Sequence, residues 1–446
     1  MKIIVTFLII CISLFASQLT DKDYYLSLLQ QKNFTTLEHS LQQLYADTQK
    51  DITKEKQLLF ALNSFRNSDP LVGESIKLWQ QQMPNSIYAN TAWGMYNLHL
   101  GLLSRGARFI SKTPQYKIDN MLKYFKYAQK ALDKVIKKDK HFTTAYIYLV
   151  ILYYFSGDTQ KADNLMSQAL KSNPYSRTLR YNYLNFLNPY WGHSVQDADK
   201  FIDESKQLYS FNKELKIIDG YKEYNRVNSQ KDHNKSLQLL QKAIQKNSKN
   251  TRYLIKLGEH YFYNRHNYTK AKESYLKALK YMPQDTDILI MLSRCEKKEG
   301  NLIDALGYIN KALQYDGLNP DALRQKGDVL YKLDRKDEAF LEYKKVFKLD
   351  PKNVSAYINI GYIFYSKANY KKSSKYLVKA SQIGDMNARA WYYLTASYYY
   401  MRDCQFIQSA KMYQTVCHKN NTCNTSRLNW IKKSTGYAIS HHVCQE

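Results

Sequence analysis

Apolar residues recur three and four apart along most of this chain, and in its C-terminal half that pattern is itself repeated. A small residue marks the beat: Gly258, Ser293, Gly327, Gly361 and Thr395 follow one another at 35, 34, 34 and 34 residues. An apolar residue stands four positions before each (Leu254, Leu289, Leu323, Tyr357, Trp391), and Leu257, Leu292, Ile360 and Leu394 stand immediately before four of them. Some twelve to thirteen residues later comes a second small residue (Ala271, Ala305, Ala339, Ser373). A large side chain follows four on (Tyr275, Ile309, Tyr343, Leu377), then Ala278, Ala312, Val346 or Ala380. This spacing predicts two amphipathic helices per unit. The small residues belong where helix axes approach closely, because a larger side chain there would push the pair apart. Pro283 and Pro351 cannot continue the second helix and so close two of the units. A period in this range predicts a stacked array in which no unit buries its apolar face alone.

These residues resemble the tetratricopeptide repeat, whose motif has a bulky residue at position 4, Leu-Gly at 7 and 8, Ala at 20, an aromatic near 24, Ala at 27 and Pro at 32. Position 1 falls on Thr251, Thr286, Pro320, Val354 and Ala388, with one extra residue inside the first unit. The resemblance implies an all-α fold, a right-handed α-solenoid superhelix of helix-turn-helix pairs, irregular in its N-terminal half. Upstream, Thr143 to Ser176 is another unit, with Tyr146, Leu149, Gly157, Ala162, Met166, Ala169 and Pro174 in place. From Asn182 to Asn250 the units are degenerate: Leu237, Leu240 and Ala243 read as a second helix, and Asn188 to Gly192 interrupts the rhythm. Tyr88 to Asp139 is helical, with Ala128, Leu132 and Val135 on one face and a long loop at Thr113-Pro114. With Arg105 to Arg108 and Trp191 to Ser194, this stretch resembles an uncharacterised bacterial domain that precedes such repeats, a likeness that implies no activity. Residues 21 to 83 read as two or three further helices.

The N-terminus predicts export. Lys2 precedes an uncharged apolar run, Ile3 to Ala16, that ends near small residues and contains Cys11. A basic start, a short apolar core and a small-residue end match a secretory signal peptide better than a membrane span of roughly 20 residues. An uncleaved anchor is the alternative. Cysteines agree with an oxidising compartment: Cys404, Cys417, Cys423 and Cys444 cluster at the end of the chain, where two disulfides in any of three connectivities would staple the last repeat. Metal binding is the rival reading, with His418, His441 and His442 nearby, but no Cys-x-x-Cys pair is present and we expect no metal or cofactor. Cys295 reads as a lone buried thiol. The chain therefore divides into a signal peptide (1–18), a helical N-terminal region (19–142), degenerate repeats (143–250), a regular array (251–387) and a terminal repeat with a cysteine-rich cap (388–446).

A net charge of +27 raises the question of nucleic acid. Only 14 of the 66 basic residues are arginine, the lysines are spread along helix backs, and an exported chain would rarely meet nucleic acid, so none is expected. Catalytic signatures are absent: no His-Glu-x-x-His, Gly-x-Ser-x-Gly, phosphate loop or dinucleotide fingerprint occurs. An enzyme reading has only Arg105, Arg108, Trp191 and His193 to draw on.

The resemblance instead implies a binding groove lined by the first helix of each pair at positions 2, 5, 9 and 12. Those slots hold Ile255, Glu259 and Phe262, then Ile290, Arg294 and Lys297, then Arg324, Asp328 and Tyr331, then Ile358, Tyr362 and Tyr365, then Arg389, Tyr392 and Tyr399. The partner-binding candidates are Arg294, Lys297, Arg324, Tyr331, Ile358, Tyr362, Tyr365, Arg389 and Tyr392. Arginine forks and rigid tyrosines favour an extended peptide or acidic segment of a protein. Some family members clamp a peptide's terminal carboxylate; the matching slots here are Arg324, Asp328, Asn359, Arg389 and Tyr393, of which Asp328 repels a carboxylate and Tyr393 replaces an arginine. The function expected is a non-enzymatic scaffold, periplasmic or secreted in a bacterial envelope. The alternative is an adaptor whose lysine-rich face binds anionic envelope polymers or a membrane surface.

Overall fold

A computed structural model describes residues 22–106, 110, 113–227, 229–384 and 386–440. The apolar run with Cys11, and Ala107, Arg108, His441, His442 and Cys444, lie outside the described residues. Within them every regular element is helical, and none is long and apolar enough to cross a membrane. The chain divides into two compact units between Asn319 and Pro320.

The first unit begins with four helices where the sequence predicts two or three: α1 (Lys22–Gln30), α2 (Phe34–Lys50), α3 (Glu55–Leu62) and α4 (Pro70–Gln82). Long α5 (Ile87–Arg105) packs along α6 (Gln115–Lys138), where Gly94 abuts Leu132 and Gly101 abuts Phe125. Then come α7 (Thr143–Ser156) and α8 (Thr159–Ser172), and the irregular stretch α9 (Arg177–Tyr183), α10 (Val195–Lys206), α11 (Tyr221–Val227) and α12 (His233–Lys246). The unit ends with α13 (Thr251–Glu259), α14 (Tyr268–Leu279), α15 (Thr286–Glu299) and α16 (Leu302–Tyr315). The second unit contains three pairs: α17 (Pro320–Lys332) with α18 (Lys336–Leu349), α19 (Val354–Ser366) with α20 (Tyr370–Ile383), and α21 (Ala388–Tyr400) with α22 (Gln405–Lys419). α23 (Thr425–Ser440) follows as the last helix among the described residues.

The beat of small residues has a direct physical cause. A Cβ on Gly258 would lie 2.7 Å from the Tyr275 ring, one on Gly327 2.6 Å from Tyr343, and one on Gly361 2.7 Å from Leu377. In each case the small residue of the first helix seats the large residue of the second. Ser293 does the same job with a hydroxyl that donates to the Ala305 carbonyl at 2.8 Å. Turns keep the same beat: His266, Gly300, Asp334, Ala368 and Arg402 all have positive φ, at intervals of 34. First helices are also capped alike, Asp285, Asn353 and Asn387 each accepting from the backbone N–H three residues on.

The extra residue of the first repeat is visible as well. His266 stands eight residues after Gly258, whereas each later turn stands seven after its small residue. Between them, His260–Asn264 widens into a π-helical turn. Such a turn absorbs one inserted residue without breaking the helix, so the packing register is restored by His266.

One long-range feature ties the first unit together. Asp316 is buried and accepts from the Ser68 N–H at 2.7 Å and from the Ser68 hydroxyl; His99 Nε2 lies 2.9 Å from its other oxygen, which also accepts from Asn319. Asn67 donates to the Tyr315 carbonyl and Lys22 to Gln284. Helices near residue 22 to 99 are thereby joined to those near 284 to 319.

Candidate functional site

In the second unit the first helices α17, α19 and α21, with α23 beside them, form one aromatic and basic face. Tyr365 and Tyr362 on α19 both lie 4.7 Å from the Tyr393 ring on α21, measured between centroids. Tyr393 adjoins Tyr392, which meets Trp430 of α23 at 5.6 Å. Trp430 also meets Tyr399 at 5.3 Å. The Arg389 guanidinium sits 4.9 Å from the Tyr362 ring and 5.5 Å from Tyr393, and Arg427 sits 4.9 Å from Tyr392 and 6.0 Å from Tyr393. Such contacts hold a cation against the negative face of a ring.

The structure thus brings Tyr362, Tyr365, Arg389 and Tyr392 together. Tyr365 and Tyr392 are half-buried and Arg389 is exposed. Ile358 and Tyr362 are 6% and 9% exposed and belong to the core between helices, so they are the wall beneath the face. Arg294 and Lys297 are on α15 in the other unit, where Arg294 donates to Tyr263 Oη at 3.2 Å. Arg427 and Trp430 are participants that the repeat positions missed, and Tyr393, read from the motif only as a clamp slot, lies at the centre of the face. Tyr393 falls one place after a groove slot, and α23 follows the last repeat, where the motif gives no positions to read.

Arg324 and Tyr331 lie on α17. Arg324 is tied down on its own helix, donating to Asp321 at 2.7 Å and to Asp328 at 3.1 Å. Burial disfavours its charge, but the two carboxylates outweigh that and raise its pKa. Asp328 also accepts from Tyr343 at 2.7 Å and Asn359 at 3.5 Å. Three of the carboxylate-clamp slots, Arg324, Asp328 and Asn359, therefore satisfy one another, and Arg324 is a neutralised strut.

The sparse enzyme candidates converge too. His193 Nε2 lies 3.0 Å from the Tyr154 hydroxyl and 3.4 Å from Asp163, which also accepts from Tyr154 and, at 2.8 Å, from Tyr183. Trp191 packs on Tyr154, Phe155 and Phe186, and Arg105 lies over Phe155. Burial and the Asp163 carboxylate push both phenols far above their ordinary pKa. This cluster braces the irregular region. A cleft of about 200 Å³ borders it in sequence, lined by Glu55, His141 and Tyr175. Its acid is already satisfied by Thr143, Ser176 and the Thr178 N–H.

At the C-terminus, Cys417 and Cys423 are bonded to each other and Cys404 is also held in a disulfide. His418 is within 4.8 Å of the two bonded sulfurs, whose thiolates are thereby unavailable to a metal. Cys295 is buried and reduced, its thiol pushed up to about 12 by burial.

Family profiles described as TPR repeat and tetratricopeptide repeat match residues 327–368 and 354–383. Residues 327–383 therefore match tetratricopeptide repeats. Among curated proteins it is similar to the BBSome complex member BBS4 of Bos taurus, 26% identical over 45% of this chain and 41% of that protein. It is also similar to a TPR repeat-containing protein of Methanocaldococcus jannaschii, 23% identical over 72% of this chain and 48% of that protein. The chain spans less than half the length of both. Among solved structures it is similar to PilW, a type IV pilus biogenesis factor (18% identity, 49% of this chain, 98% of that one, TM-score 0.41). A second is YrrB, a TPR protein with an unusual peptide-binding site (25% identity, 40% of this chain, 91% of that one, TM-score 0.33). The repeat fold is a scaffold for protein and peptide binding, and proteins built from it are generally non-catalytic.

Proposed function

We propose that this protein is a non-enzymatic scaffold that holds an extended segment of a protein partner on the first-helix face of its second unit. The observation that carries this is the continuous strip from Tyr362 and Tyr365 through Tyr393 and Tyr392 to Trp430, with two guanidiniums laid on it. Rigid aromatics and arginine are the residues that supply most energy at interfaces. The test is capture of peptides from a random-sequence display library by the full chain, repeated with Tyr365→Ala and Tyr393→Ala. Enriched peptides should lose about tenfold or more in affinity on either change; no enrichment, or enrichment indifferent to both changes, overturns the reading.

The same proposal has the protein act outside the cytoplasm, in a bacterial envelope. The apolar run Ile3 to Ala16 and the paired cysteines support it. Mass spectrometry of the chain from fractionated cells should find it outside the cytoplasm with Cys417 and Cys423 oxidised; a cytoplasmic chain with reduced thiols overturns it. A second reading rests on Lys371, Lys372, Lys375 and Lys379, which α20 leaves exposed with no carboxylate partner among the described residues. They favour contact with an anionic polymer or membrane surface, whose binding would weaken steeply with salt while ignoring Tyr365→Ala.

A further inference from the structure

Two arginines on the aromatic face have no acidic partner among the described residues. Arg389 and Arg427 both lie within 6.0 Å of the Tyr393 ring, and neither pairs with a carboxylate among the described residues. The sequence explains why: beyond Pro351 the only acidic residues are Asp385, Asp403 and Glu446. Their situation differs from that of Arg324 and Arg335 in the same unit, which are neutralised by Asp321, Asp328 and Glu338. A second observation points to the same place. Tyr362 is nine-tenths buried under Arg389, and its hydroxyl is buried without any hydrogen-bond partner. A buried hydroxyl left unmatched costs free energy that a bound acceptor would recover. Arg427 is placed by docking of α23, whose Ile431 is fully buried and whose Trp430 packs on Tyr392 and Tyr399.

We infer that Arg389, Arg427 and the Tyr362 hydroxyl form an anion subsite that takes the carboxylate or phosphate of an acidic side chain within a bound peptide. The inference rests on the peptide-binding reading above and names the chemistry of its occupant. A guanidinium offers a planar donor fork to an oxyanion, and the tyrosine rings against Arg389 and Arg427 hold those forks in place. The site uses a helix beyond the last repeat and needs no peptide terminus.

Three fluorescent decapeptides of one sequence, carrying two central glutamates, two glutamines, or one phosphoserine, provide the test by anisotropy with the full chain at low salt. The glutamate and phosphoserine peptides should bind about tenfold or more tighter than the glutamine peptide. Arg389→Gln and Arg427→Gln should each remove most of that difference, and the double variant all of it, while a change at the exposed Lys344 of α18, Lys344→Gln, leaves it intact. Competition by inorganic phosphate of the phosphoserine peptide alone would assign a phosphate site; equal competition of both acidic peptides assigns a general oxyanion site. Circular dichroism melts of the variants separate loss of the site from loss of the fold. Equal binding of all three peptides, with loss on Tyr365→Ala, overturns the subsite and leaves the groove standing. No binding of any peptide, together with an empty display selection, overturns both.

Discussion

Glycine at the beat positions is required by what lies across from it. Gly258 and Gly327 face the edges of Tyr275 and Tyr343, whose rings are buried and cannot move aside. Gly327→Ala should destabilise the second unit by roughly 1–3 kcal/mol, the usual cost of forcing extra carbon into a packed core, read as a lower urea midpoint. Ala368 is the converse case. Its φ of +53° is a left-handed backbone that a side chain disfavours, so Ala368→Gly should gain up to about 1 kcal/mol in the same experiment. Cys295 carries the third expectation at this scale. With its pKa pushed up to about 12 and no solvent access, it should resist iodoacetamide at neutral pH until denaturant is added. Rapid labelling of the native protein would show that α15 is not packed as described.

Among the elements, α13 shows how a repeat tolerates an irregularity. Its π turn holds the one residue by which the first repeat exceeds the others. Deleting Tyr263, an exposed residue of that turn, should let the turn close as ordinary α-helix and leave the melting temperature within a few degrees. The same deletion in α17 or α19, which have no spare residue, should rotate every later core position off its face and abolish the cooperative melt. Survival of both deletions alike would show that the turn is not what sets the register. The last helix is the other exception. α23 lies beyond the three pairs, and its apolar side covers the end of α21 and α22, the face a further repeat would otherwise occupy.

At the scale of the molecule, the first unit is closed by the cluster around Asp316. Burial alone would raise the pKa of Asp316, but His99, Ser68 and Asn319 outweigh it and hold the carboxyl well below the usual range. A carboxylate with a depressed folded pKa stabilises the fold above its unfolded value and loses that contribution as pH falls. Stability of the first unit should therefore decline between about pH 4 and pH 2. Asp316→Asn should lower stability at pH 7 by roughly 3 kcal/mol and flatten that acid limb, because the buried partners then face an uncharged amide. Urea melts at several pH values check both. An acid limb as steep in the variant as in the parent would assign the loss to other carboxylates.

Much of the repeat architecture was legible because its causes are local. Spacing of three and four, small residues opposite large ones and a 34-residue period are consequences of helix geometry within a single pair, so Gly258, Ser293, Gly327 and Gly361 appear in the structure doing what their spacing implies. Groove slots followed from the same register, and Tyr365, Arg389 and Tyr392 do share a face. Contacts between distant segments were not legible. Nothing near Asp316 in sequence announces His99 or Ser68, and nothing in the motif announces that Arg427 would reach Tyr393; the Arg324–Asp328 pair, four residues apart on one helix, is by contrast a local one. Local periodicity determines which side of a helix is apolar; which charged groups then meet, and which stay unanswered, is decided only when helices far apart in sequence are packed together.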